Sequence, residues 1–153
     1  GKSSNPSVRR VVTQEATETA QAKLLAYKGR ISHFAKSQIG SRKLQKIMRD
    51  LTIKDLRAIV KEIQASLITL LDNNYGNYFV SKLYEYSDTG LRSKIMHNIL
   101  TKLLTKTESS AIQTNGIITI LKTMQCLPEQ EYFISMFSPH MKSILEFPSS
   151  FPI

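Results

Sequence analysis

Two stretches of the sequence lie 36 residues apart and share one order of residue types. GSRKLQKIMRD begins at Gly40, GNYFVSKLYEY begins at Gly76, and the alignment sets Leu44 against Val80. A unit of this length that recurs along a chain is typical of repeat architectures, in which each unit packs mainly against its neighbours. We therefore expect this chain to fold as a stack of repeats.

The spacing of apolar residues predicts that the repeats are helical. Apolar residues recur every three or four positions, as in Ile31, Phe34, Ala35, Leu44, Ile47, Met48, Leu51, Leu56, Ile59, Val60, Ile63 and Leu67. No run alternates apolar and polar residues as a half-buried strand would. Breaks are expected at Gly29, Gly40, residues 73–76, residues 88–90 and Pro128. The fold class is therefore all-α, built from short helices of roughly 10–15 residues.

The same pattern divides the chain into regions. Residues 1–12 lack helical periodicity, so we expect them to form a flexible lead-in. Thr13 can cap the first helix. Residues 13–153 predict the repeat stack, with repeats near 28–63, 64–99 and 100–137 and the start of a fourth at 138–153. In the faint third copy, Asn115 and Thr119 align with Asn77 and Ser81 at an offset of 38.

Polar and planar side chains share one face of each repeated helix. Ser41 and Gln45 are one helical turn apart, with Arg42 beside them. A hydroxyl and an amide can pair with the edge of a base, and a guanidinium plane can stack on it. The pattern therefore favours a surface that reads one unpaired base per repeat.

The second copy carries the same kinds of groups. Asn77 and Ser81 are the candidate edge readers there, and Tyr78 is the candidate stacking platform. Three further tyrosines, Tyr75, Tyr84 and Tyr86, fall off this face, so we interpret them as packing residues. In the third copy Gly116 replaces the planar residue and cannot stack, so a structural role is the simpler interpretation of that copy.

The motifs Gly40-Ser41-Arg42-x-x-Gln45-Lys46 and Gly76-Asn77-Tyr78-x-x-Ser81-Lys82 resemble the second helices of the first two Pumilio (PUF) repeats. Residues 29–35 and 62–67 resemble the matching first helices. The resemblance implies a right-handed α-solenoid of about three to four PUF-type repeats, a partial Pumilio domain, whose concave face binds single-stranded RNA. Ser41, Arg42 and Gln45 resemble an adenine-reading set. Asn77 and Tyr78 resemble a uracil-reading set, in which Ser81 is too short for the usual glutamine.

The resemblance also implies partners and a cellular role. It points to the 3′ untranslated regions of mRNA, to repressor or decay proteins, and to regulation of translation or of mRNA decay. Two alternatives stay open: a protein-binding solenoid, and non-selective nucleic-acid binding in ribosome assembly. A cytoplasmic location is expected for the first role, and a nuclear or nucleolar one for ribosome assembly.

Charge and composition agree with a nucleic-acid partner. The formal net charge is +9, from 21 Lys and Arg against 12 Asp and Glu, which favours a polyanion. The basic amphipathic stretch 91–106 could instead meet a membrane surface or a helix-binding partner, but in a solenoid it packs between neighbouring helices. We find neither a signal peptide nor an apolar run long enough for a membrane span, and expect no membrane partner.

The sequence offers no chemistry for catalysis. It has no phosphate-binding glycine loop, no nucleophile elbow and no His-Glu-x-x-His motif. Its three histidines lie far apart, and Cys126 is the single cysteine, which we interpret as a packing residue in a reducing compartment. We therefore expect no enzyme activity, no metal site, no cofactor and no small-molecule substrate.

Overall fold

The computed structural model describes residues 12–105, and in that range the chain is helical throughout, without a strand. The helices are α1 (Gln14–Leu24), α2 (Ile31–Ala35), α3 (Gln38–Arg49), α4 (Ile53–Ile63), α5 (Leu67–Leu71), α6 (Gly76–Tyr86) and α7 (Thr89–Thr105). A short 3-10 helix, Gln64–Ser66, links α4 to α5. The all-α prediction is confirmed. None of the described helices is long and apolar enough to cross a membrane.

The helices repeat in threes. The set α2, α3 and α4 recurs as α5, α6 and α7, and the starts of α2 and α5 and of α4 and α7 are each 36 residues apart. This is the offset that the sequence alignment predicts, and it agrees with a solenoid of PUF-type repeats. Residues 62–67 do not form one first helix as expected, because they span the end of α4, the 3-10 helix and the first residue of α5.

The second helix of each repeat begins at an equivalent cap. Ser37 Oγ accepts a hydrogen bond from the amide of Gly40 at 3.0 Å. Thirty-six residues later, Asn73 Oδ1 accepts one from the amide of Gly76 at 2.9 Å. Each side chain satisfies a backbone donor that has no partner within its helix. The Gly40 and Gly76 amides are therefore satisfied from equivalent positions, although α6 begins two residues later in its repeat than α3 does.

The third helices are capped in the same way. Thr52 Oγ1 accepts a hydrogen bond from the amide of Asp55 at 3.1 Å, and Asp88 Oδ1 accepts one from the amide of Leu91 at 2.8 Å. Thr52 and Asp55 form a reciprocal capping box, since the Asp55 carboxylate also accepts from the Thr52 amide at 3.1 Å. The break at residues 88–90 is thus a helix start rather than an open loop.

The glycines at the head of α3 and α6 allow a close approach to the preceding short helix. A Cβ on Gly40 would collide with the carbonyl oxygen of Phe34, and a Cβ on Gly76 would lie 2.6 Å from that of Leu70. Our expectation of a break at Gly40 is wrong, because Gly40 is the third residue of α3. The residue is glycine because the backbones pack too closely for a side chain.

The predicted core residues are buried. Leu44, Ile47, Met48, Leu51, Leu56, Ile59, Val60, Ile63 and Leu67 are all at most 7% exposed and belong to one continuous cluster. Ala20 connects α1 to that cluster, so α1 covers the first repeat. The cluster continues through α6 into α7, which is how stacked repeats share a core.

Two contacts that the sequence did not suggest hold neighbouring elements together. Gly29 turns with φ of 83°, and the carboxylate of Glu62 accepts the amides of Gly29 and Ile31 at 3.0 Å each. Further along, the Nε of buried Arg92 donates to the carbonyl of Tyr84 at 2.9 Å, and its guanidinium lies 4.8 Å from the Tyr84 ring centre. The Glu62 carboxylate thus satisfies backbone amides at the start of α2, and the Arg92 guanidinium satisfies a backbone carbonyl near the end of α6.

We expect Gly40→Ala to lower the free energy of unfolding by about 1–3 kcal/mol, because the new methyl group displaces the backbone of Phe34. Gly90→Ala is the matched control: its Cβ would meet only Asp88 Oδ1, at 3.8 Å, in an exposed part of α7. Denaturant unfolding of both variants tests this. Equal effects of the two substitutions would contradict the proposed close approach.

The capping box should make stability depend on pH. Partial burial raises the pKa of Asp55, but hydrogen bonds from Gln21, the Thr52 backbone and the Thr52 hydroxyl outweigh it and hold that pKa below its ordinary value. A carboxylate with a lowered pKa stabilises the fold above its unfolded pKa, about 3.9, and loses this contribution as pH falls through the folded value.

We therefore expect Asp55→Asn to be less stable than the wild type at neutral pH and the difference to shrink below about pH 4. Thermal unfolding of both proteins between neutral and acidic pH measures the difference. A constant difference over that range would show that the charge of Asp55 is not responsible.

Candidate RNA-binding groove

Helices α3 and α6, the second helices of consecutive repeats, pack side by side and leave an open groove of about 500 Å³ between them. We call it the inter-repeat groove. Its walls are Gln38, Ser41, Arg42 and Gln45 from α3, with Asn74, Tyr75 and Tyr78 from α6 and the turn before it. Four of the side chains predicted as base readers, Ser41, Arg42, Gln45 and Tyr78, thus lie together.

Ser41 lies at the floor of this groove and is only 2% exposed. Its hydroxyl donates to the carbonyl of Tyr75 in the next repeat at 2.9 Å and accepts a hydrogen bond from Gln45 Nε2, also at 2.9 Å. Both bonds are internal, so the hydroxyl is engaged within the protein. Ser41 therefore ties the two repeats together at the point where we predicted a base contact.

Gln45 and Arg42 are more accessible. Gln45 is half-buried, lines the groove and donates from its amide nitrogen to Ser41, which leaves its amide oxygen as an acceptor. Arg42 is exposed, and it makes no ion pair among residues 12–105. The groove therefore presents a planar cation and a polar acceptor side by side on α3.

The opposite wall is aromatic. Tyr78 is 61% exposed and Tyr75 is 40% exposed, and both residues line the groove. Our interpretation of Tyr75 as a packing residue is wrong, because the turn before α6 brings it to the groove edge. The same interpretation is confirmed for Tyr84, which is fully buried, and for Tyr86, which packs against the core.

The remaining predicted readers of the second repeat do not line the inter-repeat groove. The amide nitrogen of half-buried Asn77 donates to the carbonyls of Asn73 at 2.7 Å and Asn74 at 3.1 Å, which binds the side chain to the turn before its own helix. Ser81 is half-buried, and its hydroxyl oxygen is inaccessible and has no hydrogen-bond partner in the described part of the chain. Their assignment as base readers stays a prediction.

The third-copy candidates, Asn115 and Thr119, lie outside the described residues, as does Cys126. For the same reason, the repeat boundaries beyond residue 105 stay predictions. The predicted flexible lead-in at 1–12 also stays a prediction, since Val12 is its one described residue. Within residues 12–105 no group of three or more His, Cys, Asp or Glu side chains could hold a metal ion.

Sequence reasoning missed three residues of the groove: Gln38, Asn74 and Tyr75. Gln38 could have been found, because it lies one helical turn before Arg42 and so on the same face of α3. Asn74 and Tyr75 precede α6, and only the packing of that turn against α3 brings them to the groove.

We expect Ser41→Ala to lower the free energy of unfolding by about 1–3 kcal/mol, since the Tyr75 carbonyl and the Gln45 amide lose their partner. Ser32→Ala is the control, because the half-buried Ser32 hydroxyl makes no hydrogen bond with another described residue. Chemical unfolding monitored by circular dichroism compares the two. If Ser41→Ala left the free energy of unfolding unchanged, this hydroxyl would have no structural role.

Comparison with known proteins agrees with the repeat geometry. Residues 9–108 match the family model of the NOP9-like PUF repeat domain. Pumilio homolog 12 of Arabidopsis thaliana is 33% identical over 110 residues, which are 71% of this chain and 18% of that relative. Putative pumilio homolog 10 of the same plant is 31% identical over 103 residues, 67% of this chain and 19% of the relative.

The chain spans about a fifth of the length of these curated relatives. No solved structure matches it significantly. The family match covers both repeats described above, with their equivalent caps, glycines and groove-lining helices. By these repeats and by its relatives, the chain belongs to the PUF repeat family.

Proposed function

We propose that this chain binds single-stranded RNA in the inter-repeat groove, with stacking as the main source of affinity. Membership of the PUF repeat family supports RNA binding in general, and PUF repeats are binding modules rather than enzymes. The observation that carries the proposal is the meeting of Arg42, Gln45 and Tyr78 in one open groove between consecutive second helices. The net charge of +9 supports a polyanionic ligand.

The groove is suited to a flat ligand because planar groups face it from both walls. Arg42 on α3 and Tyr78 on α6 are both exposed, so a base can enter without displacing either side chain from the core. Stacking of a base on an aromatic side chain contributes about 1–3 kcal/mol and tolerates any base. Affinity from this source needs an unpaired strand, since the bases of a duplex are already stacked.

Base selection, in this proposal, depends mainly on Gln45. Its amide oxygen is an acceptor beside Arg42, whereas the Gln45 amide nitrogen, the Ser41 hydroxyl and the Asn77 amide nitrogen donate to groups within the protein. Resemblance to the adenine-reading set of Pumilio repeats suggests adenine as the preferred base at α3. Selectivity at the second repeat is expected to be weaker, because Asn77 must leave its backbone partners to contact a base.

A second candidate function is RNA binding with little base selection. This function is favoured because the side chains of Ser41 and Asn77 form hydrogen bonds within the protein, which leaves few groups free to contact a base edge. The match to the NOP9-like PUF repeat domain is compatible with a role of this kind in ribosome assembly, with a nuclear or nucleolar location. A protein-binding solenoid is the remaining alternative, and it predicts no RNA binding.

The wider role that we propose is post-transcriptional regulation of mRNA in the cytoplasm, through sites in 3′ untranslated regions and with repressor or decay proteins as partners. Its support is the relation to Arabidopsis Pumilio homologs, of which this chain covers about a fifth. The groove itself supports only the binding step.

The test is selection of a single-stranded RNA library by the 153-residue chain, followed by affinity measurements on variants. We expect the combined Arg42→Ala and Gln45→Ala substitutions to abolish base preference. Tyr78→Ala should weaken binding of every RNA by about 1–3 kcal/mol, since it removes a stacking surface. Arg57→Ala removes an exposed cation of α4, outside the groove, and should leave base preference unchanged.

Arg42→Lys separates stacking from charge, because it keeps the positive charge but loses the plane. Under our proposal it weakens RNA binding as much as Arg42→Ala does, because both substitutions remove the stacking plane. If Arg42→Lys equals the wild type and the library yields no preferred sequence, the second candidate function replaces the first. A chain that binds no RNA at low salt would refute both.

A further inference from the structure

A second cleft lies further along α3. It lies between α1 and α3 and encloses about 840 Å³. Its charged lining consists of four cationic side chains, Lys23, Lys43, Lys46 and Arg49, and two acidic ones, Glu15 and Asp50. We call it the α1–α3 cleft. The excess of positive charge in a concave surface favours an anionic ligand, because such a surface concentrates the field of its charges.

The lysines of this cleft are not neutralised by the protein. Arg49 Nε lies 3.5 Å from Asp50 Oδ1, so that pair is largely balanced. Lys23, Lys43 and Lys46 are exposed, and none of them lies within ion-pair distance of a carboxylate among residues 12–105. Three ammonium groups thus converge from two helices on one space, with Glu15 as the remaining acidic group.

The α1–α3 cleft and the inter-repeat groove are both lined by residues of α3. Arg42 lines the groove, and Lys46, one helical turn later on the same side of α3, lines the cleft. The distance along the helix axis is about 6 Å for four residues. A strand that leaves the groove past Arg42 therefore meets Lys46 next.

We propose that the α1–α3 cleft holds the phosphodiester backbone of the RNA strand whose bases occupy the inter-repeat groove. This inference rests on the proposed function and adds a second binding region to it. The strand continues past α3 onto α1, and Lys23, Lys43 and Lys46 contact its phosphates.

The chemistry of the lining fits phosphate rather than bases. Lysine ammonium groups bind phosphate as point charges. No Asn or Gln side chain is among the described residues that line this cleft, and its one aromatic ring, half-buried Tyr27, packs edge-on against Phe34 with centres 5.0 Å apart. The cleft therefore adds affinity and a requirement for a longer strand, without adding base selectivity.

The test combines Lys23→Gln, Lys43→Gln and Lys46→Gln in the full chain. The matched control combines Lys54→Gln, Arg57→Gln and Lys61→Gln, which removes the same charge from exposed positions on α4. Both are titrated with a short RNA that fills only the inter-repeat groove and with the same RNA extended at either end. Circular dichroism and thermal unfolding verify that each variant keeps the fold.

We expect the cleft variant to bind the extended RNA roughly tenfold more weakly than the control variant does, and the short RNA equally well. Its salt dependence should flatten, since each lost phosphate contact lowers the slope of log affinity against log salt by about 0.7. Base preference should be unchanged, because the cleft does not contact base edges.

Each other outcome has a distinct meaning. If both variants bind the extended RNA equally while Arg42 and Gln45 still govern base preference, the cleft proposal is overturned and the groove proposal stands. If the cleft lysines govern affinity but the wild type shows no base preference, the cleft proposal stands and the proposed base selection by Gln45 is refuted. No RNA binding by the wild type at low salt overturns both.

Discussion

The hydrogen bond from the Ser41 hydroxyl to the carbonyl of Tyr75 links the two repeats directly. It joins the start of one second helix to the turn that begins the next, and Gln45 completes it from one turn away. Because Ser41 is buried, this bond is shielded from water and leaves little freedom in how α6 sits against α3. Both residues of that contact line the inter-repeat groove, one on each wall.

Structural and binding roles are divided among neighbouring positions of one helix. Gly40 and Ser41 face the preceding short helix and the next repeat, where space allows no side chain or only a small one. Arg42 and Gln45 lie next to them and face the groove. A repeat can therefore change its ligand-contacting side chains while the packing positions hold the stack. Differences between the two repeats at Arg42 and Tyr78 are of this kind.

Much of the fold could be predicted because its causes are local. The 36-residue offset, the apolar spacing of α3 and α4 and the cap at Thr13 all depend on residues close together in the chain. Capping at Ser37 and at Asp88 follows from the same short-range chemistry. Long-range contacts were not predictable: Glu62 closing the turn at Gly29 spans 33 residues and leaves no periodic signal.

The sequence by itself determined that this chain is a stack of helical repeats with polar and planar side chains at matching positions. Both features follow from the spacing of residues along the chain, which sets the helix periodicity and the repeat length. Only the tertiary structure decided which of those side chains remain accessible. Accessibility in the groove depends on the neighbouring repeat, because the Tyr75 carbonyl engages Ser41 and the packing of the turn before α6 against α3 brings Tyr75 to the groove.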